Sequence, residues 1–112
     1  MNVNVREKDG VFILDLSGRL DINASDKINK TVDDILEKGG KIFLMNFSEV
    51  DFVSSPGLVI LVSILKKIRK EQGRIALFNL QSYVREVFEV TQLTKVFEIF
   101  ESEEEGIKSL KE

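Results

Sequence analysis

Two adjacent hydroxyls, Ser54 and Ser55, stand where an apolar strand pattern hands over to a strongly apolar helix pattern, in the run Asp51-Phe52-Val53-Ser54-Ser55-Pro56-Gly57-Leu58. Proline suits the first helical position, where its φ is preset and its missing N–H has no intrahelical role. On that spacing Ser55 is the expected N-cap, its Oγ accepting from the free N–H of Gly57 or Leu58. Such a hydroxyl can also carry a phosphate, because free N–H groups and the helix dipole favour an anion there. A plain structural cap is the competing reading. Pro56 offers no N–H, so a phosphate would look to Gly57 and Leu58.

Other chemistries have little to work with. The chain has no histidine, which removes the commonest general base, Ser-His triads and the usual zinc ligand sets. No lysine is placed by spacing to act as base for the serines. There is no cysteine, hence no disulfide framework or thiolate chemistry, a composition that fits a reducing cytoplasm. A net charge of −3 gives no basic footprint for nucleic acid. The apolar stretch Leu58–Leu65, broken by Ser63, is too short to span a bilayer, and residues 1–9 carry no secretory pattern. No Gly-rich nucleotide loop is present. The expected protein is a non-enzymatic cytoplasmic module with no cofactor or metal.

The elements that must position these serines follow from patterning. With 112 residues, 43% of them apolar, one domain over 1–112 with one core is expected. Val3 and Val5 alternate with polar residues as a short edge strand before a Lys8-Asp9-Gly10 turn. Residues 11–16 read as a buried strand ending at Ser17-Gly18. Ala24, Ile28, Val32, Ile35 and Leu36 have helical spacing, with Asn23 as N-cap and Gly39-Gly40 as the stop. Lys41–Phe47 is a second buried strand, running into a connection over Ser48–Asp51. The helix from Pro56 buries Leu58, Leu61, Val62, Leu65 and Ile68 and stops at Gly73. A strand over 74–80, a helix near 82–90, a strand over 96–100 and an acidic helix over 103–110 complete the chain. Strands alternating with helices indicate an α/β fold: a mixed sheet of four to five strands against about four helices.

Three strand-to-helix junctions (17–21, 46–57 and 79–82) fall where ligands gather in open α/β sheets. Asp21, Asp51, Ser54 and Ser55 are thereby expected on one rim, although Asp21 and Asp51 also suit turns. Val59, Ile60 and Ile64 are apolar beyond what a core stripe needs. Either the buried face is wide, or Val59 is an exposed apolar contact beside Ser55. The run Lys66-Lys67-Ile68-Arg69-Lys70 reads as a solvated face whose cations suit the helix C-terminus.

Together these segments resemble the STAS domain of bacterial anti-sigma factor antagonists. Leu16-Ser17-Gly18-Arg19-Leu20-Asp21 looks like the family's apolar-[Ser/Thr]-Gly-x-[Leu/Ile]-Asp segment. Residues 46–58 look like its segment around the phosphorylated serine, and 84–100 like its closing helix, Leu-containing turn and last strand. The resemblance covers nearly the whole chain in order. It implies Ser55, two positions before the Gly of Gly57-Leu58, as phosphoacceptor, with Ser54 as second choice. Many members carry Asp where this chain has Ser54, and a small residue where it has Pro56.

The resemblance further implies partner switching. Unphosphorylated, the protein would bind an anti-sigma factor with serine kinase activity and so free a sigma factor. Phosphorylation would switch binding off, and a phosphoserine phosphatase would restore it. Asp21, Ser54, Ser55, Pro56, Gly57 and Val59 are the implied partner-binding residues, with no nucleic acid or membrane partner. The alternative is a STAS scaffold or ligand-sensing module of a stress-signalling assembly.

Overall fold

A computed structural model describes residues 1–112. Strands β1 (Asn2–Lys8) and β2 (Val11–Leu20) form an antiparallel hairpin. Its two-residue turn holds Asp9 at φ 54 and Gly10 at φ 81. Two successive positive φ values define the type I′ turn, whose twist matches that of the flanking strands, and Asp-Gly is a favoured pair there.

Beyond the hairpin, helices and strands alternate: α1 (Ser25–Glu37), β3 (Ile42–Val53), α2 (Ser55–Lys70), β4 (Arg74–Phe78), α3 (Ser82–Val90), β5 (Glu98–Phe100) and α4 (Glu103–Leu110). The sheet order is β1-β2-β3-β4-β5, antiparallel in its first pair and parallel in the rest. The expected mixed α/β architecture is therefore the observed one, with five strands and four helices.

Alternation along the strands sends side chains to two cores. Leu14, Leu16, Phe43, Met45, Phe47, Ile75 and Leu77 join the buried residues of α1, α2 and α3 in a cluster of 23, whereas Val11, Ile13, Leu44, Ala76 and Phe78 meet Ile107 and Leu110 of α4 in a cluster of 7. The sheet is thus fully covered on one face and only partly on the other. Three helices cover the first face. No helix is long and apolar enough to cross a membrane.

Two strands run further than their patterns predict. β2 continues through Ser17-Gly18 to Leu20, and β3 continues through Ser48–Asp51 to Val53. They stay paired (Ser17↔Glu49, Gly18↔Val50, Arg19↔Phe52, Leu20↔Val53), with register shifts between Asp15 and Ser17 and between Gly18 and Arg19. Gly18, at φ 106, provides the backbone that the second shift needs. Asp51 is consequently an exposed strand residue, not a turn residue.

Candidate functional site

The paired ends of β2 and β3 deliver the chain to α2 at Ser54. This residue, and not Ser55, is the N-cap: its backbone is extended (φ −93, ψ 167) and its Oγ accepts the Gly57 N–H at 3.1 Å. Its own N–H donates to the Leu20 carbonyl at 3.0 Å, and its carbonyl accepts the Leu58 N–H at 3.0 Å. Pro56 accordingly occupies the second helical position and not the first. Either place suits it, since the first four N–H groups of a helix lack intrahelical partners.

The two serines therefore differ in kind. Ser54 is half-buried and held by its hydroxyl, amide and carbonyl. Ser55 is exposed on the first turn, and its hydroxyl makes no hydrogen bond within the protein. The donors expected to receive a phosphate are also not free. Pro56 has none, the Gly57 N–H goes to Ser54 Oγ, and the Leu58 N–H goes to the Ser54 carbonyl. Of the first-turn donors only the Ser55 N–H has no partner, so phosphate on Ser55 would meet that one donor and otherwise solvent.

Gly57 has a structural task here. A Cβ at this position would lie 2.0 Å from the Leu20 carbonyl oxygen and 2.7 Å from its carbon. The residue is buried, so it offers no surface to a partner, which corrects its assignment as a contact residue. What it provides is the close approach of α2 to the end of β2. That approach sets the phase of the helix. Ile60, Leu61, Ile64, Leu65 and Ile68 are buried, Leu58 and Val62 are half-buried, and Val59 is 68% exposed. The buried face is thus wide enough to take Ile60 and Ile64, yet Val59 remains an exposed apolar side chain one turn from Ser55.

Asp21 lies just past the Leu20 carbonyl that Ser54 holds. It caps a 3-10 turn (Ile22–Ala24), Oδ1 accepting the Asn23 N–H at 3.0 Å, while Oδ2 lies 3.6 Å from Arg19 Nε. Asn23 is therefore inside the turn, not a cap, and α1 begins without a side-chain cap. The Arg19 guanidinium lies 3.9 Å from the Phe52 ring centroid, within cation–π range. Ile22 is 63% exposed on the turn that packs beside α2. Arg19, Phe52 and Ile22 were not singled out from the sequence. Their signal is strand pairing, which places Arg19 opposite Phe52 and is invisible without the sheet.

The third junction is tied to β3 and β5. Asn79 donates its N–H to the Phe100 carbonyl at 3.1 Å, and Gln81 Nε2 donates to the Ser48 carbonyl at 2.9 Å. The rim is not a pocket. None of the five surface cavities is lined by Asp21, Ser54, Ser55 or Val59. Small ligands bury most of their surface in concavities of several hundred Å³. An open surface with a free hydroxyl, exposed Pro56 and exposed Val59 and Ile22 fits a macromolecule better.

Known proteins are similar to this chain in sequence and in fold. The family model for the STAS domain matches residues 2–106. The candidate anti-sigma factor antagonist BtrV of Bordetella bronchiseptica is 28% identical over 91 residues, covering 81% of this chain and 78% of its own. An anti-sigma-B factor antagonist of Listeria monocytogenes is 26% identical over 95 residues, covering 84% and 83%. The crystal structure of a candidate anti-sigma factor antagonist from Thermotoga maritima superposes with a TM-score of 0.90 at 27% identity, over 98% of this chain and 95% of the other. SpoIIAA, another anti-sigma factor antagonist, has this fold in unphosphorylated and phosphorylated forms, with TM-scores of 0.74 and 0.72.

Proposed function

The chain belongs to the STAS family, and from that membership and the free Ser55 hydroxyl we propose that it is an anti-sigma factor antagonist switched by phosphorylation of Ser55. Residues 1–112 act as one STAS domain in the cytoplasm. Unphosphorylated, it binds an anti-sigma factor that is also a serine kinase, and a sigma factor is released. Transfer of phosphate from ATP to Ser55 ends the binding, and a phosphoserine phosphatase restores it. The chemistry is the partner's; this chain is ligand and substrate.

The observation that carries this reading is the division between the two serines. A kinase needs an accessible hydroxyl whose transfer does not break the fold. Ser55 Oγ is exposed and unbonded, whereas phosphate on Ser54 would remove the cap from Gly57. Phosphate adds about −1.5 to −2 charges at neutral pH. With the Gly57 and Leu58 N–H groups already engaged, most of that charge stays on the surface. It acts where a partner sits and does not refold the chain. A mismatch of about 3 kcal/mol at the interface lowers affinity roughly a hundredfold. Exposed Val59, Ile22 and Pro56 supply apolar contact around the hydroxyl, and Asp21 and Arg19 supply a polar rim.

The test is titration of the purified anti-sigma factors of the source cell against wild type, Ser55→Asp and Ser54→Ala, with mass spectrometry after incubation with ATP. Ser55→Asp should lose about a hundredfold in affinity at an unchanged melting temperature, and the phosphate should map to Ser55. Equal affinity of wild type and Ser55→Asp, or a phosphate on Ser54, would overturn the assignment.

A further inference from the structure

Strand β1 is the outer edge of the sheet, bonded to β2 on one side and open on the other. It runs over Asn2–Lys8 in uninterrupted register, with no proline, glycine or bulge. Natural sheets blunt their edges with such devices or with charge, because an open row of N–H and C=O groups is a template for another strand. The tight turn decides which groups are open. Lys8 and Val11 flank Asp9-Gly10, so they exchange hydrogen bonds across the turn. Alternation along an antiparallel pair then gives Arg6, Asn4 and Asn2 the same relation to β2. The N–H and C=O groups of Val3, Val5 and Glu7 therefore point outward, with no partner in the chain.

The charges on β1 do not close this edge. Arg6 is turned onto Asp15 and Glu103, and Glu7 and Lys8 stand at the turn end of the strand. On the opposite face Val3 and Val5 pair with Leu16 and Leu14 of β2. Val3 packs half-buried against the larger core, whereas Val5 is 44% exposed. A strand that meets its own copy about a two-fold axis pairs antiparallel, and residues opposite each other share a face. Centred on Arg6, the pairing sets Arg6 against itself, and like charges repel. Centred on Val5, it sets Val3 against Glu7. Centred on Val3, it uses only residues 2–4 of the strand. Centred on Asn4, it uses residues 2–6, sets Val3 against Val5 twice and Asn2 against Arg6, and brings no like charges together.

We propose that β1 is a self-association edge: a second copy of this chain pairs its β1 antiparallel to this one, centred on Asn4, so that one sheet continues across both copies. Each Val3–Val5 pair exchanges both N–H···O bonds. Val5 gains Val3 of the second copy as a cross-strand neighbour where it otherwise faces solvent. The contact is one strand wide. Standard interfaces bury about 1,600 Å², and a single added strand falls below that, so the dimer forms and separates in the micromolar-to-millimolar range. Edge and switch are separate, because β2 stands between β1 and β3, the strand that delivers Ser55. Pairing at the edge leaves the Ser55 hydroxyl of each copy free, and it does not depend on the function proposed above.

The chain has no cysteine, so one introduced thiol reports the register. Opposed residues that share no hydrogen bonds in an antiparallel pair lie about 4.5 Å apart between Cα atoms, within reach of a disulfide. Asn4→Cys should give a disulfide-linked dimer on mild oxidation, and Asn2→Cys, which faces Arg6 of the second copy, should lose that cross-link. Sedimentation of the wild type should show its mean mass rising from monomer toward dimer between about 1 µM and 1 mM. Val5→Pro removes an outward N–H that β2 does not use, and should hold the chain monomeric over that range with little change in melting temperature. Should Val5→Pro unfold, Val5→Lys, which keeps every backbone group, should weaken association about tenfold in its place. A wild type that stays monomeric up to about 1 mM overturns the proposal. So does equal cross-linking at Asn2 and Asn4, or a folded Val5→Pro that still dimerises. Protection of the Val3, Val5 and Glu7 amides from hydrogen exchange only when an anti-sigma factor is added gives the edge to a partner's strand, and overturns it as well.

Discussion

Two polar clusters in this molecule look alike in composition and differ in what they leave over. On the face covered by α4, Arg6 donates to both oxygens of Asp15, at 2.6 and 2.9 Å, and to Glu103 at 2.6 and 3.3 Å. Asn46 Nδ2 donates to Asp15 at 2.9 Å and its Oδ1 accepts the Ser48 N–H at 3.0 Å. Every strong group has a partner, and the cluster ties β1, β2, β3 and α4 together. At the start of α2, one hydroxyl is consumed by the cap and its neighbour is left free beside exposed apolar side chains. The Arg6 hydrogen bonds hold the Asp15 carboxyl below the usual carboxylate range, and the two carboxylates raise Arg6 further. A displaced titration is often read as a mark of function. Here it marks a closed structural network, and the functional candidate is the group with nothing to do.

Gly57→Ala should break the comparison most severely, because it removes the geometry that makes Ser55 free. A methyl group 2.0 Å from the Leu20 carbonyl oxygen meets backbone, which cannot rotate away. Either α2 shifts or β2 does. A loss of about 3 kcal/mol is expected, read as a lower denaturant midpoint, and with it a displaced Ser54 cap and weakened partner binding. Stability equal to wild type would mean that the close contact between α2 and Leu20 is not required.

The serines sharpen the contrast. Ser54→Ala removes the acceptor for Gly57 and should lower stability by about 1 kcal/mol. Ser55→Ala removes a hydroxyl that bonds to nothing in the chain and should leave stability within about 0.5 kcal/mol. If thermal unfolding shows the reverse order, the cap has been assigned to the wrong serine.

That assignment also shows where the sequence stops being readable. Both serines are good caps, and Pro56 is tolerated at the first or second helical position, so local rules cannot choose. The choice is made by the Leu20 carbonyl, which lies 34 residues away from Ser54 and receives its N–H. The same contact sets the phase of α2. In the unbroken apolar run Leu58–Val62 no periodicity shows, so the exposure of Val59 had to remain open. The end of β3 was missed for a related reason. Its buried residues Phe47, Val50 and Val53 are three apart, because register shifts against β2 interrupt the alternation that identifies a strand. By contrast, α3 and α4 fall where the sequence places them, near 82–90 and over 103–110, and the structure adds Ser102 as the cap of α4, its Oγ accepting the Glu105 N–H. Elements governed by local chemistry could be read. The site could be read in content but not in geometry, because long-range pairing assembles it.

A small effect is expected at the Arg6 cluster, and its pH dependence carries the information. The Arg6 side chain is 41% exposed and that of Asp15 26%, so solvent screens the pair and its net worth is within about 1 kcal/mol. The carboxyl is held below its unfolded value, so its contribution is fully present above the unfolded value of about 4. It is lost as pH falls through the folded one. Asp15→Asn removes that contribution at neutral pH while keeping the shape and an oxygen for Asn46 and Arg6. Wild type should therefore exceed Asp15→Asn in stability near pH 7, and the gap should close on titration below about pH 4. Partner affinity at neutral pH should be the same for both, since the cluster lies on the α4 side of the sheet. If Asp15→Asn weakens the partner as much as Ser55→Asp does, the closed network takes part in function, and the distinction between satisfied and leftover groups fails in this molecule.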